Sequence, residues 1–190
     1  MMQELLMKLK FSNHRRFSAL GGIPPHEGVR AGEEHYRSCA ESHFAVLQDT
    51  ILKDGNPVLI IEDDIEAEIP MTVMEVPDDA DCVYLGTSHG GMNYKATIVS
   101  QQLSRIEGVL ATHAILYLNR EYAEKTIEIG KKWIYEQNRP FDVGMAFELQ
   151  PISKVYALRA PLFYQSDAKN AVNKWERITR TPLLVDARSA

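Results

Sequence analysis

Four branched apolar residues running straight into three acids, Val58-Leu59-Ile60-Ile61-Glu62-Asp63-Asp64, constrain this chain more than any other stretch. Gly55-Asn56-Pro57 interrupts regular structure just before them. The run therefore predicts a short strand buried on both faces, with carboxylates delivered to its carboxyl end. In open α/β sheets, ligands bind outside that rim. Adjacent carboxylates repel and raise each other's pKa unless a positive group sits between them. A hard divalent cation shared with a substrate phosphate is the commonest such partner. The same acids also suit a plain solvated turn; the apolar strand in front of them favours the functional reading.

The chain has 190 residues, 45% hydrophobic and 25% charged, which is enough for one α/β domain with a full core. A net charge of −5 gives no basic footprint of the kind that proteins dependent on phosphate contacts usually show, and leaves room only for local basic patches. Cys39 and Cys82 fall in segments that read as helix and strand, without zinc-type spacing or a disulfide framework, so a reducing, cytoplasmic setting is expected. The first ten residues have too short an apolar run for a signal peptide. No run of about 18 apolar residues occurs, so no transmembrane anchor is expected.

Residues 5–11 predict a first strand and 17–20 a short helix, closed by Gly21-Gly22 and barred from continuing by Pro24-Pro25. Arg15 and Arg16, between them, suit a phosphate or a base face, and equally a solvated helix start. Residues 36–53 repeat apolar positions at helical spacing, with His43 on or beside the stripe, where it reads as a hydrogen-bonded structural histidine. Residues 73–76 suit a short strand or a helix end. Residues 82–86 read as a buried strand closing on Gly86, where backbone can approach a ligand. The loop 87–93 lacks the Gly-Lys-Ser/Thr ending of a phosphate loop.

An edge strand is expected over 95–99 and a longer strand over 109–118, which contains Thr112-His113. Asn119 begins a helix reaching Trp133 or Tyr135. A short amphipathic helix follows over 141–149, with Asp142 in its first turn, where an acid can simply favour the helix start. Strands near 155–158 and 162–165 precede a tail with a helix around 171–178.

Taken together, these parts resemble a family. Cys39-Ala40-Glu41-Ser42-His43-Phe44 upstream of Val58 to Asp64 is similar to the "GC-x-x-SH-x … LILEDD" pair of the glycosyltransferase family 25-like proteins, which include lipooligosaccharide and collagen galactosyltransferases. Residues 13–23 resemble that family's "dRR…l…gi" opening, and Val83-Tyr84-Leu85-Gly86 its strand ending in Leu-Gly. Residues 108–123 resemble its "g…THAYLIS…A" block, Pro140-Phe141-Asp142 its "PiD", and 155–165 its "y…P…Q" ending. The resemblance spans about residues 8 to 166. Ser38 stands where the family usually has glycine, and Ala114-Ile115-Leu116-Tyr117-Leu118 matches "AYLIS" only at Ala114 and Leu116. The short chain also trims elements that shape acceptor recognition in larger members.

The resemblance implies a single GT-A-like, Rossmann-like α/β domain over 1–166, with a mixed, mostly parallel central sheet flanked by helices, and a helical tail over 167–190. It implies a hexosyltransferase using a nucleotide sugar, with UDP as the expected carrier, and Mn²⁺ or Mg²⁺ held by Asp64 with Asp63. Arg15, Arg16, Glu62, Asp63, Gly86, Thr112 and His113 become donor-side candidates. Asp142, then Glu148, becomes the acid that takes the acceptor proton if transfer inverts. A saccharide is the preferred acceptor. A hydroxymethylated viral DNA base is the lesser one, for which Arg15, Arg16, Lys131, Lys132, Arg177 and Arg180 are the available cations. The competing classes are a metal-dependent phosphoesterase or nuclease, which needs further Asp/His ligands where only His89 and His113 are obvious, and an inactive sugar-nucleotide-binding protein.

Overall fold

A computed structural model describes residues 13–28, 35–67, 73–87 and 94–165. Its centre is a six-stranded sheet in the order β1-β6-β3-β7-β5-β4, with β1 Val58–Ile61, β3 Cys82–Tyr84, β4 Lys95–Ile98, β5 Leu103–Glu107, β6 Ala114–Tyr117 and β7 Val155–Leu158. A second sheet pairs β2 Ile65–Ala67 with β8 Phe163–Gln165. The molecule is α/β with a mixed sheet, but the expected parallel majority is wrong. Only β3 and β7 run parallel, and the other four pairings in the main sheet are antiparallel. Parallel neighbours need a long crossover, whereas β4 and β5 form a hairpin and β6 reverses against both β1 and β3.

Period-two alternation splits the core into two layers. Val58, Ile60, Cys82, Tyr84, Ile115 and Tyr117 face helices α1 (Tyr36–Asp49), α2 (Ile51–Asp54), α3 (Arg120–Tyr135) and α4 (Phe141–Gly144), packing with Phe44, Leu47, Ile134 and Phe141. Leu59, Ile61, Val83 and Ala114 face the other way, toward Ile65, Leu162 and Phe163 beside the small sheet. Both faces of β1 are thus covered, as its sequence predicts, yet it is an edge strand and only Ile60 in it is buried.

Local departures from the sequence reading have local causes. Residues 17–20 are not helical; the run adjoins no other helical segment, and Gly21-Gly22 and Pro24-Pro25 stop it from being extended. The helix over 36–53 breaks at Thr50, whose hydroxyl donates to the Val46 carbonyl at 2.6 Å. The long strand expected over 109–118 is shortened to β6, and β5 lies unanticipated before it, because Gly108 (φ 73°) and Ala111 (φ 95°) turn the backbone out of extended geometry. Residues 73–76 form neither strand nor helix. Asn119 caps α3 as its position predicts, accepting from the Tyr122 N–H at 2.7 Å. The helix over 141–149 becomes α4 followed by a π-helical turn, Met145–Leu149.

The edge strand β4 and the terminal strands β7 and β8 form as expected. The predicted strand over 5–11, most of the loop 87–93, and the tail over 167–190 with its helix lie outside the described residues. Among the described residues no helix is long and apolar enough to cross a membrane.

Candidate functional site

The acids after β1 lie where the main sheet hands the chain to the small one. Glu62 prolongs the β1–β6 ladder by one bond, its N–H donating to the His113 carbonyl at 2.9 Å, before Asp63-Asp64 turn the chain into β2. The Glu62 side chain is clamped from two elements. Thr112 Oγ1 donates to Oε1 at 2.8 Å, and His43 Nε2 donates to the same oxygen at 3.2 Å. An ionised carboxylate only accepts, so the imidazole must carry its proton on Nε2. Burial pushes the Glu62 carboxyl up, but the bonds from His43 and Thr112 outweigh it and hold the group below the usual glutamate value.

His113 forms the floor. It is 2% exposed, and its Nε2 lies 3.4 Å from the Phe163 carbonyl. Burial lowers its pKa against the opposing pull of Glu62, so the ring is neutral at pH 7. Gly86 is packed against the same pair. A Cβ there would overlap the His113 ring and come within 2.5 Å of the Phe163 carbonyl oxygen, so this close approach requires glycine.

Asp142 reaches the cluster from the start of α4. Its Oδ2 accepts from the Ala111 N–H at 3.3 Å, a bond made possible by the positive φ of Ala111. Burial raises its pKa, backbone N–H groups oppose that, and the Glu62 charge adds to the rise. Asp142 and Glu62 are therefore two carboxyls pushed in opposite directions by their surroundings, a pattern that separates acid–base roles. Cys39 and His43 complete the wall from one face of α1, a helical turn apart. The His43 ring lies 5.3 Å from that of Phe141, and the Cys39 thiol is raised first by burial and then by the charges of Glu62, Asp142 and Asp64.

Of the residues singled out in the sequence, the fold thus gathers Glu62, Asp64, Gly86, Thr112, His113 and Asp142. It leaves others elsewhere. Asp63 is exposed. Arg15 is 61% exposed and ion-paired with Asp49 at 2.6 Å, and Arg16 lies in the same irregular segment. Glu148 is held at the outer face of α3 by Lys132 (3.0 Å) and the Trp133 indole (2.8 Å), with its pKa lowered by those bonds, beside a 560 Å³ surface groove that shares no lining residue with the acid cluster.

The sequence reading treated His43 as structural, and it is hydrogen-bonded, but to the central acid itself. Cys39 was passed over as a site residue. The signal available was their i, i+4 spacing on the α1 face ahead of the acidic strand.

Glu62 and Asp64 are oxygen donors of the kind a hard cation takes, and the charges of both act on Cys39 and His113. No protein-family model matches the chain, and no curated protein matches it.

Proposed function

We propose that this chain is a metal-dependent glycosyltransferase with a GT-A-like domain, moving a sugar from a UDP-linked donor to the hydroxyl of a saccharide. The observation that supports it best is the pair of carboxyls pushed in opposite directions, Glu62 held below the usual glutamate value at the end of β1 and Asp142 raised by burial and by the nearby Glu62 charge. The motif resemblance around the same residues points the same way.

In this reading Asp64, with Asp63 beside it, holds Mn²⁺ or Mg²⁺. The ion neutralises charge on the departing diphosphate when bound. Glu62, Thr112, His113 and Gly86 shape the donor side: Glu62 presents a fixed carboxylate to donor hydroxyls, and Gly86 lets the His113 ring and the Phe163 backbone pack close behind it. Asp142 takes the acceptor proton as the new bond to the anomeric carbon forms and the bond to the diphosphate oxygen breaks. Its raised pKa makes it a better base near neutrality than an ordinary aspartate. A DNA acceptor fits less well, because Arg15 and Lys132 are already compensated by Asp49 and Glu148.

A panel of nucleotide sugars with Mn²⁺ tests the assignment. The expected result is a thermal shift and slow donor hydrolysis with a UDP-sugar. Cleavage of a phosphodiester probe without either effect would overturn it in favour of a phosphoesterase.

A further inference from the structure

The acid cluster contains a second ligand set, of softer chemistry. Cys39 and His43 project from one face of α1, and Glu62 meets them from the end of β1. The candidate donor atoms of the three residues all lie within 4.8 Å of one another. We infer that Cys39, His43 and Glu62 form a binding site for a thiophilic divalent cation, Zn²⁺ or Co²⁺, distinct from a hard-cation site at Asp64.

Bond lengths of about 2.0–2.3 Å at tetrahedral angles give nitrogen-to-oxygen edges of roughly 3.3 Å. His43 Nε2 and Glu62 Oε1 stand 3.2 Å apart, so one edge is already in place, and with all donor atoms within 4.8 Å of one another the sulfur edges need an adjustment of at most about 1 Å.

An independent observation concerns the imidazole. His43 is 4% exposed, and its Nδ1 is buried with no hydrogen-bond partner. While Nε2–H donates to Glu62, the ring's lone pair sits on that unpartnered nitrogen. A metal seated between Nε2 and Glu62 Oε1 would take the place of the proton in that hydrogen bond, and the ring proton would move to the unpartnered Nδ1, where no existing bond has to break.

The electrostatics agree. Burial first, and then the charges of Glu62, Asp142 and Asp64, raise the Cys39 thiol; those same three charges attract a cation to the place. On binding, the metal–sulfur bond replaces the S–H bond and one proton passes to solvent. A thiolate with an imidazole selects zinc or cobalt over magnesium or manganese.

The inference does not rest on the transferase reading, and its test uses the metal alone. The full chain, reduced and metal-free, is titrated with Co²⁺ and followed in the near ultraviolet, where thiolate-to-cobalt charge transfer absorbs. Zn²⁺ affinity is measured against a chromophoric chelator. One equivalent of Co²⁺ with a charge-transfer band is expected. Cys39→Ser should abolish the band and weaken Zn²⁺ about tenfold or more, while Asp64→Asn keeps it. Alkylation of Cys39 in the parent, resolved from Cys82 by peptide mass, should be blocked by Zn²⁺ and not by Mg²⁺; this arm decides the matter if Cys39→Ser does not fold. Absence of the band in the parent, its survival in Cys39→Ser, its loss in Asp64→Asn, or failure of Zn²⁺ to protect Cys39 overturns the site.

Discussion

Thr112 Oγ1 donates a 2.8 Å hydrogen bond to Glu62 Oε1, tying the residue after β1 to the segment that leads into β6. A hydrogen bond to a charged group contributes roughly 1.5–3 kcal/mol. Thr112→Val should therefore lower stability by about 1–2 kcal/mol at pH 7, since Glu62 retains 22% side-chain exposure and the bond from His43. The folded pKa of Glu62 lies below its ordinary 4.5. The stabilisation linked to that shift is fully present above pH 4.5 and is lost as pH falls through the folded value. Urea melts of parent and variant should differ at pH 7 and converge as the pH drops below 4.5. A gap that stays constant across that window would separate Thr112 from the Glu62 carboxylate.

Gly86→Ala places a methyl group against the backbone carbonyl of Phe163, which cannot rotate away, and against the buried His113 ring. Overpacking of this kind costs typically about 1–3 kcal/mol. The melting temperature should fall and UDP-sugar affinity with it, because the floor of the site moves. Parent-like melting and donor binding in calorimetry would show that the approach is looser than the geometry requires.

Much of the site was legible because its chemistry lies in short local patterns. Apolar residues ending in acids placed Glu62 and Asp64, and a glycine after a buried strand placed Gly86. What stayed hidden depends on pairing between distant segments. Strand direction is set by hydrogen-bond partners that local hydropathy does not encode, so the antiparallel majority was missed. The left-handed backbone at Ala111, which presents an N–H to Asp142, has no signature in an alanine. Glu148 is the second-choice acid of the family analogy; the turn of the chain through α4 and the π-helical segment carries it instead to Lys132 and Trp133. The helix expected over 17–20 rested on four residues, too few for propensity to decide.

Glu148→Gln serves as a control for that displacement. It removes a half-exposed ion pair worth at most about 1 kcal/mol, and the amide still accepts from the Trp133 indole. Donor hydrolysis should remain at the parent rate in a coupled assay of UDP release. A drop of tenfold or more would return Glu148 to the acid–base role.

Asp64→Asn should leave the fold intact while removing Mn²⁺-dependent donor binding. Calorimetric titration of a UDP-sugar with and without Mn²⁺ checks this. Donor affinity that responds to Mn²⁺ equally in parent and variant would move the hard cation away from Asp64.

In the proposed function Asp142 takes the acceptor proton in sugar transfer. The folded pKa of Asp142 is raised above its ordinary 3.8. The stability linked to that shift is fully present below pH 3.8 and is lost as pH rises through the folded value, so ionised Asp142 disfavours the fold at neutrality. Asn keeps the size and accepts from the Ala111 N–H, so Asp142→Asn should melt no lower than the parent at pH 7. It cannot take a proton. The decisive measurement is turnover of a UDP-sugar with a saccharide acceptor by both proteins, alongside melting temperature and donor affinity. The account predicts turnover reduced at least about a hundredfold, with the other two values near normal. Transfer at close to the parent rate would contradict it and leave Asp142 a structural acid.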